Sequence, residues 1–310
     1  MAGQNFYASG FGSLPQTLGN IYFVAPSATY TIQGPQGVRS YSASDGNDGR
    51  SPKRALLTIN RAWDLVSANA GDVIMLLPGT HSPSASITAD VAGVTMMGMP
   101  TGAANFLYPR TTIAAVTGDE TINVTAANVR IGFLNIIPVT QKAALDFSAA
   151  ANGLHVHDCY FDLNTPAAHT STLGIDGLGA ATGVLIERCY FESDGAQGAA
   201  IDVGTATRVV VQDCVIGNSA GTWAAGITVG DTTQVTIRRN VFFCYGTAMT
   251  VGIKGAELTT SNAVIIHDNR FGSLVTKGVD DFGSADAEIS ENYDFGVGAT
   301  DGGVLVTAIT

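Results

Sequence analysis

Charge is what this sequence has least of. Only 13% of its 310 residues are Asp, Glu, Lys or Arg, and the first 38 carry no charge at all. Acidic residues outnumber basic ones 26 to 15, a net charge of −11. That balance excludes a nucleic-acid binder, which needs a basic surface, and argues against docking on anionic membranes. Long apolar runs are missing too, since none approaches the roughly 20 residues that span a bilayer. The opening Met1-Ala2-Gly3-Gln4-Asn5 lacks the basic-then-apolar order of a signal peptide, so synthesis in a cytoplasm is expected. Cysteines number four, with no Cys-x-x-Cys pair and no Gly-x-Ser-x-Gly nucleophile motif. Neither a resident metal nor a cofactor is expected. Glycine, by contrast, reaches 37 residues and hydrophobic residues 45%, enough for a packed interior rather than a disordered chain.

Short apolar segments recur along the chain. Leu154-His155-Val156-His157-Asp158-Cys159-Tyr160-Phe161 is followed by Val184 to Phe191, Val209 to Ile216, Val235 to Phe242 and Val264 to Phe271. The shared pattern is apolar-x-apolar-x-x-(Cys/Asn)-x-apolar. From Leu134 through Cys159, Cys189, Cys214, Asn240 and Asn269 to Asn292 the steps are 25, 30, 25, 26, 29 and 23 residues. A period of this size enclosing two-residue alternation predicts a solenoid of stacked coils with parallel strands. A second strand precedes each segment: Ile122-Asn123-Val124, Leu145-Asp146-Phe147, Ile175-Asp176-Gly177, Ile201-Asp202-Val203, Ile227-Thr228-Val229 and Met249-Thr250-Val251. Stacked Asn can pass an amide hydrogen bond from coil to coil, and Cys fills the same slot as a small hydrophobe. Cys159, Cys189 and Cys214 are therefore expected to be reduced core residues.

The repeat Val235-x-Ile237-x-x-Asn240-x-Phe242 resembles the coil of the pectin-lyase-like superfamily of right-handed parallel β-helices. Asp45-Gly46-Asn47-Asp48-Gly49-Arg50-Ser51-Pro52 and Gly71-Asp72-Val73-Ile74-Met75-Leu76-Leu77-Pro78-Gly79 are similar to how many members begin. The expected fold is all-β, a right-handed parallel β-helix over residues 41–295. Thr58 is expected to N-cap a short closing helix over Ile59 to Ala68. The resemblance is unspecific for activity, because the fold hosts lyases, hydrolases, adhesins and virion proteins. Of the polygalacturonase-like motifs only a paired Asp280-Asp281 occurs, which argues against a pectin-degrading enzyme of the usual kind.

Residues 1–40 read as an uncharged arm, with Phe6, Tyr7, Phe11, Tyr22 and Phe23 as docking residues, unless the segment is a strap along the β-helix. An aromatic arm before a β-helix is similar to the layout of tailed-phage spikes, and that resemblance implies a homotrimer in contact with other virion proteins. Residues 296–310 form an apolar tail able to pair with another chain.

The most suggestive cluster is Asp146, Asp176 and Asp202, one outward column on three consecutive coils. Like charges stacked this closely repel. A glycosidase carboxyl pair, an oxygen-rich Ca²⁺ site and a solvated acidic stripe all remain open. Asp158, Arg188, Asp213, Arg239 and Asp268 form a second column, alternating in sign and read as structural. His157 and His267 are expected to be plain surface residues, and Asp45 to Gly49 a turn. The resulting expectation is a non-enzymatic structural protein on a phage virion. The alternatives are a polysaccharide-degrading tail spike or glycosidase using Asp146, Asp176 and Asp202, or a non-catalytic adhesin that binds a host-surface glycan.

Overall fold

The computed structural model describes residues 19–34, 37–99, 111–115, 119–139, 142–164, 174–195, 197–230, 234–245, 248–255, 263–272, 275–280, 282, 287–294 and 304–305. Phe6, Tyr7 and Phe11 lie outside them. The chain winds as a right-handed parallel β-helix with three sheets. The first sheet has ten strands, from Ile21–Val24 through Arg130–Gly132, His155–His157 and Leu185–Glu187 to Ala287–Ser290. The second also has ten, from Gly79–His81 through Tyr160–Asp162 and Tyr190–Ser193 to Tyr293–Asp294 and Val304–Leu305. The third has eight, from Ile87–Ala89 through Leu145–Phe147, Ile175–Gly177 and Gln197–Asp202 to Val275–Asp280.

Alternation sends every second residue inward. Val156, Ile186, Val211, Ile237 and Ile266 are fully buried, one per coil of the first sheet. Second-sheet interiors stack aromatics: Phe161 lies on Phe191 with centroids 4.5 Å apart, and Phe242 on Phe271 at 4.9 Å. Such pairs add to the area they bury. The helix Ile59–Leu65 closes the N-terminal end by burying Ile59, Ala62 and Trp63, and Thr58 caps it by accepting from the Arg61 amide at 3.2 Å. It stops short of the expected Ala68 because Val66 is already extended.

Each repeated segment turns a corner midway. Phe133, Asp158, Arg188, Asp213, Arg239, Asp268 and Glu291 all have φ between 51° and 57°. A left-handed backbone costs a non-glycine residue roughly 1–2 kcal/mol. Cross-coil hydrogen bonds offset it, as when the Asp158 amide donates to Glu187 O at 3.2 Å and that of Arg188 to Gln212 O at 3.2 Å. What read as one strand is thus two, in different sheets.

The residue after the corner points inward and ties the coils together. Asn269 Oδ1 accepts from both the Asn240 amide and Asn240 Nδ2 at 3.0 Å, while its own Nδ2 donates to Ile237 O at 2.9 Å. Asn292 repeats this towards Asn269 and Ile266. Cys159, Cys189 and Cys214 take the same slot as free, buried thiols, aimed at the carbonyls of Ile131, Val156 and Ile186 of the coil before, each 3.9 Å away.

Three expectations need correction. Tyr22 and Phe23 are not docking residues: Ile21–Val24 pairs in parallel with Val73–Leu76, and both side chains are buried. The solenoid therefore begins about 20 residues earlier than residue 41, because this strand lacks the Cys/Asn marker. Ile227-Thr228-Val229 stacks on Ile253-Lys254-Gly255, not on Met249-Thr250-Val251. A slip of four residues keeps the same faces inside, so alternation alone does not exclude it. Within the apolar tail, Val304–Leu305 pairs antiparallel with Tyr293–Asp294 of the same chain.

Two outcomes follow from this interior. Asn269→Ala orphans the Asn240 amide and Ile237 carbonyl and should destabilise the fold by about 1–3 kcal/mol for each buried group left unpaired, read by urea denaturation. In the native protein none of the four buried thiols should react with a disulfide reagent, and burial pushes those of Cys189 and Cys214 well up. All four should react once the chain is unfolded.

Candidate functional site

The third sheet places its acids in register. Asp146 pairs with Asp176 and Asp176 with Asp202, with Asn123 before them and Thr228, Lys254 and Asp280 after. Adjacent strands set neighbouring Cα atoms about 4.8 Å apart, so the side chains on this outer face meet directly. Asp176 and Asp202 are half-buried, whereas Asp146 is only 4% exposed. Glu120 and Lys142, from the turns before Ile122–Val124 and Leu145–Phe147, form an ion pair at 3.1 Å beside Asp146. Asp146 lies close enough to Glu120 for the two carboxyls to influence one another, while its Oδ1 is buried and without a partner among the described residues.

Protons are held here well above the ordinary carboxyl range. Burial, then the charges of Asp176 and Glu120, push Asp146 up to about 7. Burial, then the charge of Asp202, pushes Asp176 up to about 6. Burial also raises Asp202, but its Oδ1 accepts from the Gly204 amide at 2.8 Å, and that bond with the Thr228 hydroxyl favours its ionised form. Gly204 supplies this amide from a left-handed turn at φ 53°. All three are thus raised, but hydrogen bonds that favour the ionised form oppose burial at Asp202 and not at Asp176. A pair of carboxyls whose protonation is pushed apart can supply an acid and a base side by side.

Glu120 and Lys142 were not legible as site residues, since turns of unequal length bring them in and no strand pattern marks them. Lys254 was hidden by the misplaced register.

The first sheet's outer face is saturated instead. Arg188 Nε and Nη2 grip both oxygens of Asp158 at 2.9 Å, and Arg239 does the same to Asp213 at 2.7 and 2.8 Å. Burial raises Asp158, but His157 and Arg188 outweigh it and hold the group at about 2. The alternating column is a ladder of ion pairs, placed at the corner rather than within a strand. His157 and His267 are not plain surface histidines: each pairs through Nδ1 with the next residue, Asp158 at 2.9 Å and Asp268 at 2.8 Å. His155 Nε2 lies 3.1 Å from Glu187, which also accepts from Gln212 at 2.7 Å. Among the described residues no three His, Cys, Asp or Glu are grouped to hold a metal ion. Asp45 is spent on the helix start, accepting from the Leu57 and Thr58 amides and the Thr58 hydroxyl.

No curated protein matches the chain. Among solved structures it is similar to the pectin methylesterase of Aspergillus niger, at 17% identity and TM-score 0.56, covering 96% of this chain and 92% of that one. The pectin methylesterase from carrot is similar at 13% identity and TM-score 0.56, over 96% and 90%. PemA of Erwinia chrysanthemi follows at 12% and 0.53, over 93% and 90%. Identities this low speak for the shared fold alone. The family described as right handed beta helix region matches residues 135–294, which hold the Cys/Asn slot and all three Asp of the column. With that match spanning 160 of its 310 residues, the chain belongs to the right-handed β-helix family.

Proposed function

We propose that the protein acts on a polysaccharide at the outer face of its third sheet, with Asp176 and Asp202 as the reacting carboxyls. The observation that carries this reading is their register pairing on adjacent strands, with Asp176 raised to about 6 and Asp202 receiving hydrogen bonds that favour its ionised form. Asp176, holding its proton up to about 6, donates it to the departing sugar oxygen. Asp202, whose ionised form the Gly204 amide favours, attacks the anomeric carbon or activates water. A strand spacing of about 4.8 Å is close to the roughly 5–5.5 Å carboxyl separation of retaining glycosidases, so the nucleophilic route is preferred. Asp146 is too buried to touch a polymer and acts as a positioning residue. The pectin methylesterases that share the fold, one of them determined in complex with a hexasaccharide, lend support at the level of fold.

A second reading, a non-enzymatic homotrimeric surface protein of a phage virion, rests on the 38 uncharged residues at the start. Phe6, Tyr7 and Phe11 would then dock the arm on a neighbouring virion protein.

Incubation with bacterial surface polysaccharides, followed by assay of new reducing ends, separates the two. Release should peak below about pH 6, where Asp176 is protonated, and fall above it. Asp176→Asn and Asp202→Asn should each lower it by at least ~100-fold. Asp146→Asn replaces an acid already neutral with a neutral isostere and should retain most of it. No release across the panel would leave the virion reading standing.

Stability supplies an assay-free arm. Asp146 and Asp176 keep protons up to about 7 and about 6 in the fold, against 3.8 ordinarily. Their contribution is complete below the ordinary value and is lost as pH rises through the raised ones. Between about pH 4 and about pH 8 the thermal midpoint of Asp146→Asn should therefore fall less than that of the unaltered protein.

A further inference from the structure

The outer face of the second sheet is neither saturated by ion pairs nor acidic throughout. One outward column reads Asn135, Tyr160, Tyr190, Val215 and Val241, in register coil by coil. The column beside it reads Asp162, Glu192, Gly217 and Phe243. Gly217 decides the shape of this surface. A Cβ there would sit 2.4–2.8 Å from three ring carbons of Phe243, so the ring lies down on the Gly217 backbone. Phe243 therefore turns one face to the sheet and the other outward. Tyr245, 78% exposed, stands edge-on to it at 5.0 Å and 64°, and Tyr190 flanks it at 6.3 Å. Glu192 is the register partner of Gly217 and so lies at the edge of the ring, its Oε2 held by the Tyr160 hydroxyl at 2.6 Å. Asp162 stands next to it in the same column.

We propose that Phe243, Tyr245 and Glu192 form a binding platform for a pyranose ring, distinct from the carboxyl column and independent of whether that column is catalytic. A pyranose has an apolar C–H face and an equatorial rim of hydroxyls. The C–H face stacks on the outward face of Phe243, and the Tyr245 ring closes one side. The rim hydroxyls donate to the carboxyl oxygens of Glu192 and Asp162, which in the ionised form are acceptors alone. A polyanionic glycan is disfavoured by the same carboxylates. A quaternary ammonium also favours aromatic rings beside carboxylates, but it is best held where several ring faces enclose it, and here one face and one edge lie on an open sheet.

The test is affinity electrophoresis of the full chain in gels containing dextran, galactomannan, xyloglucan or hydroxyethyl cellulose, with choline and methyl glycosides as competitors. At least one neutral polysaccharide should retard the protein. Tyr245→Ala, at a position too exposed to support the core, should weaken that retardation by roughly tenfold, as should Phe243→Ala, the loss expected when an anchoring aromatic is truncated. Gly217→Val keeps both rings but lifts Phe243 from the backbone, and should weaken it comparably. A methyl glycoside should compete. The proposal falls if no polysaccharide retards the protein, if Tyr245→Ala and Gly217→Val are retarded like the unaltered chain, or if choline competes and the glycosides do not.

Discussion

Everything on the surface of this solenoid depends on the residue just past the corner between its first two sheets. A left-handed residue there turns the chain, and the next side chain enters the interior, where it binds the coil before it. In the later coils that side chain is Asn, which both accepts from and donates to the preceding coil, so its bonds are made only when the coils are in step. In the earlier coils Cys aims its thiol at the equivalent carbonyl with a weaker bond. A slip of one residue would turn the buried Val and Ile outward as well as break these bonds. Register is therefore held twice, by polar satisfaction and by hydrophobic burial. Because it is held, outward residues from coils some 25–30 positions apart in sequence become neighbours.

The same regularity explains what was legible in the sequence. Inward positions repeat with the coil, so the Val/Ile stacks, the Cys/Asn slot and the column of Asp146, Asp176 and Asp202 could be read directly. The corner could not, because Asp, Arg, Phe and Glu occupy a left-handed position that glycine usually advertises. Tyr22 and Phe23 were misread because their strand, the first of its sheet among the described residues, carries no slot residue. Glu120 and Lys142 escaped because turns obey no period. Phe243 was visible as an apolar residue, but its resting place on Gly217 depends on pairing across two coils.

The carboxyl column is the part of the surface that the fold does not require. At an effective dielectric of about 20, two carboxylates about 5 Å apart repel by roughly 3 kcal/mol. Asn123, one coil earlier in the same column, shows that an uncharged residue of the same shape is accommodated at this position. At the corner of the first sheet the chain solves the related problem differently, placing Arg188 and Arg239 against Asp158 and Asp213. Three successive acids on the third sheet have no such cations among them; Lys142 is paired with Glu120, and Lys254 lies two coils beyond Asp202. Burial first, and this repulsion after it, raise Asp146 to about 7 and Asp176 to about 6, so protonation relieves the stack as pH falls.

Protonation as the means of relief has a consequence for chemistry. An ion pair fixes both partners in their charged states and makes neither available for proton transfer. A partly protonated stack of acids distributes charge according to local solvation, and the Gly204 amide favours charge at Asp202. Asp176, raised to about 6, holds a proton to higher pH than an ordinary carboxyl, a property that general acid catalysis uses. The three faces of the coil thus differ in what they can do. The first is neutralised by its own ion pairs, the second offers an aromatic surface edged by carboxylates, and the third stacks carboxyls that burial and one another make readier to hold protons. Each face can differ because every coil contributes outward residues to each sheet while only the inward ones hold the stack together.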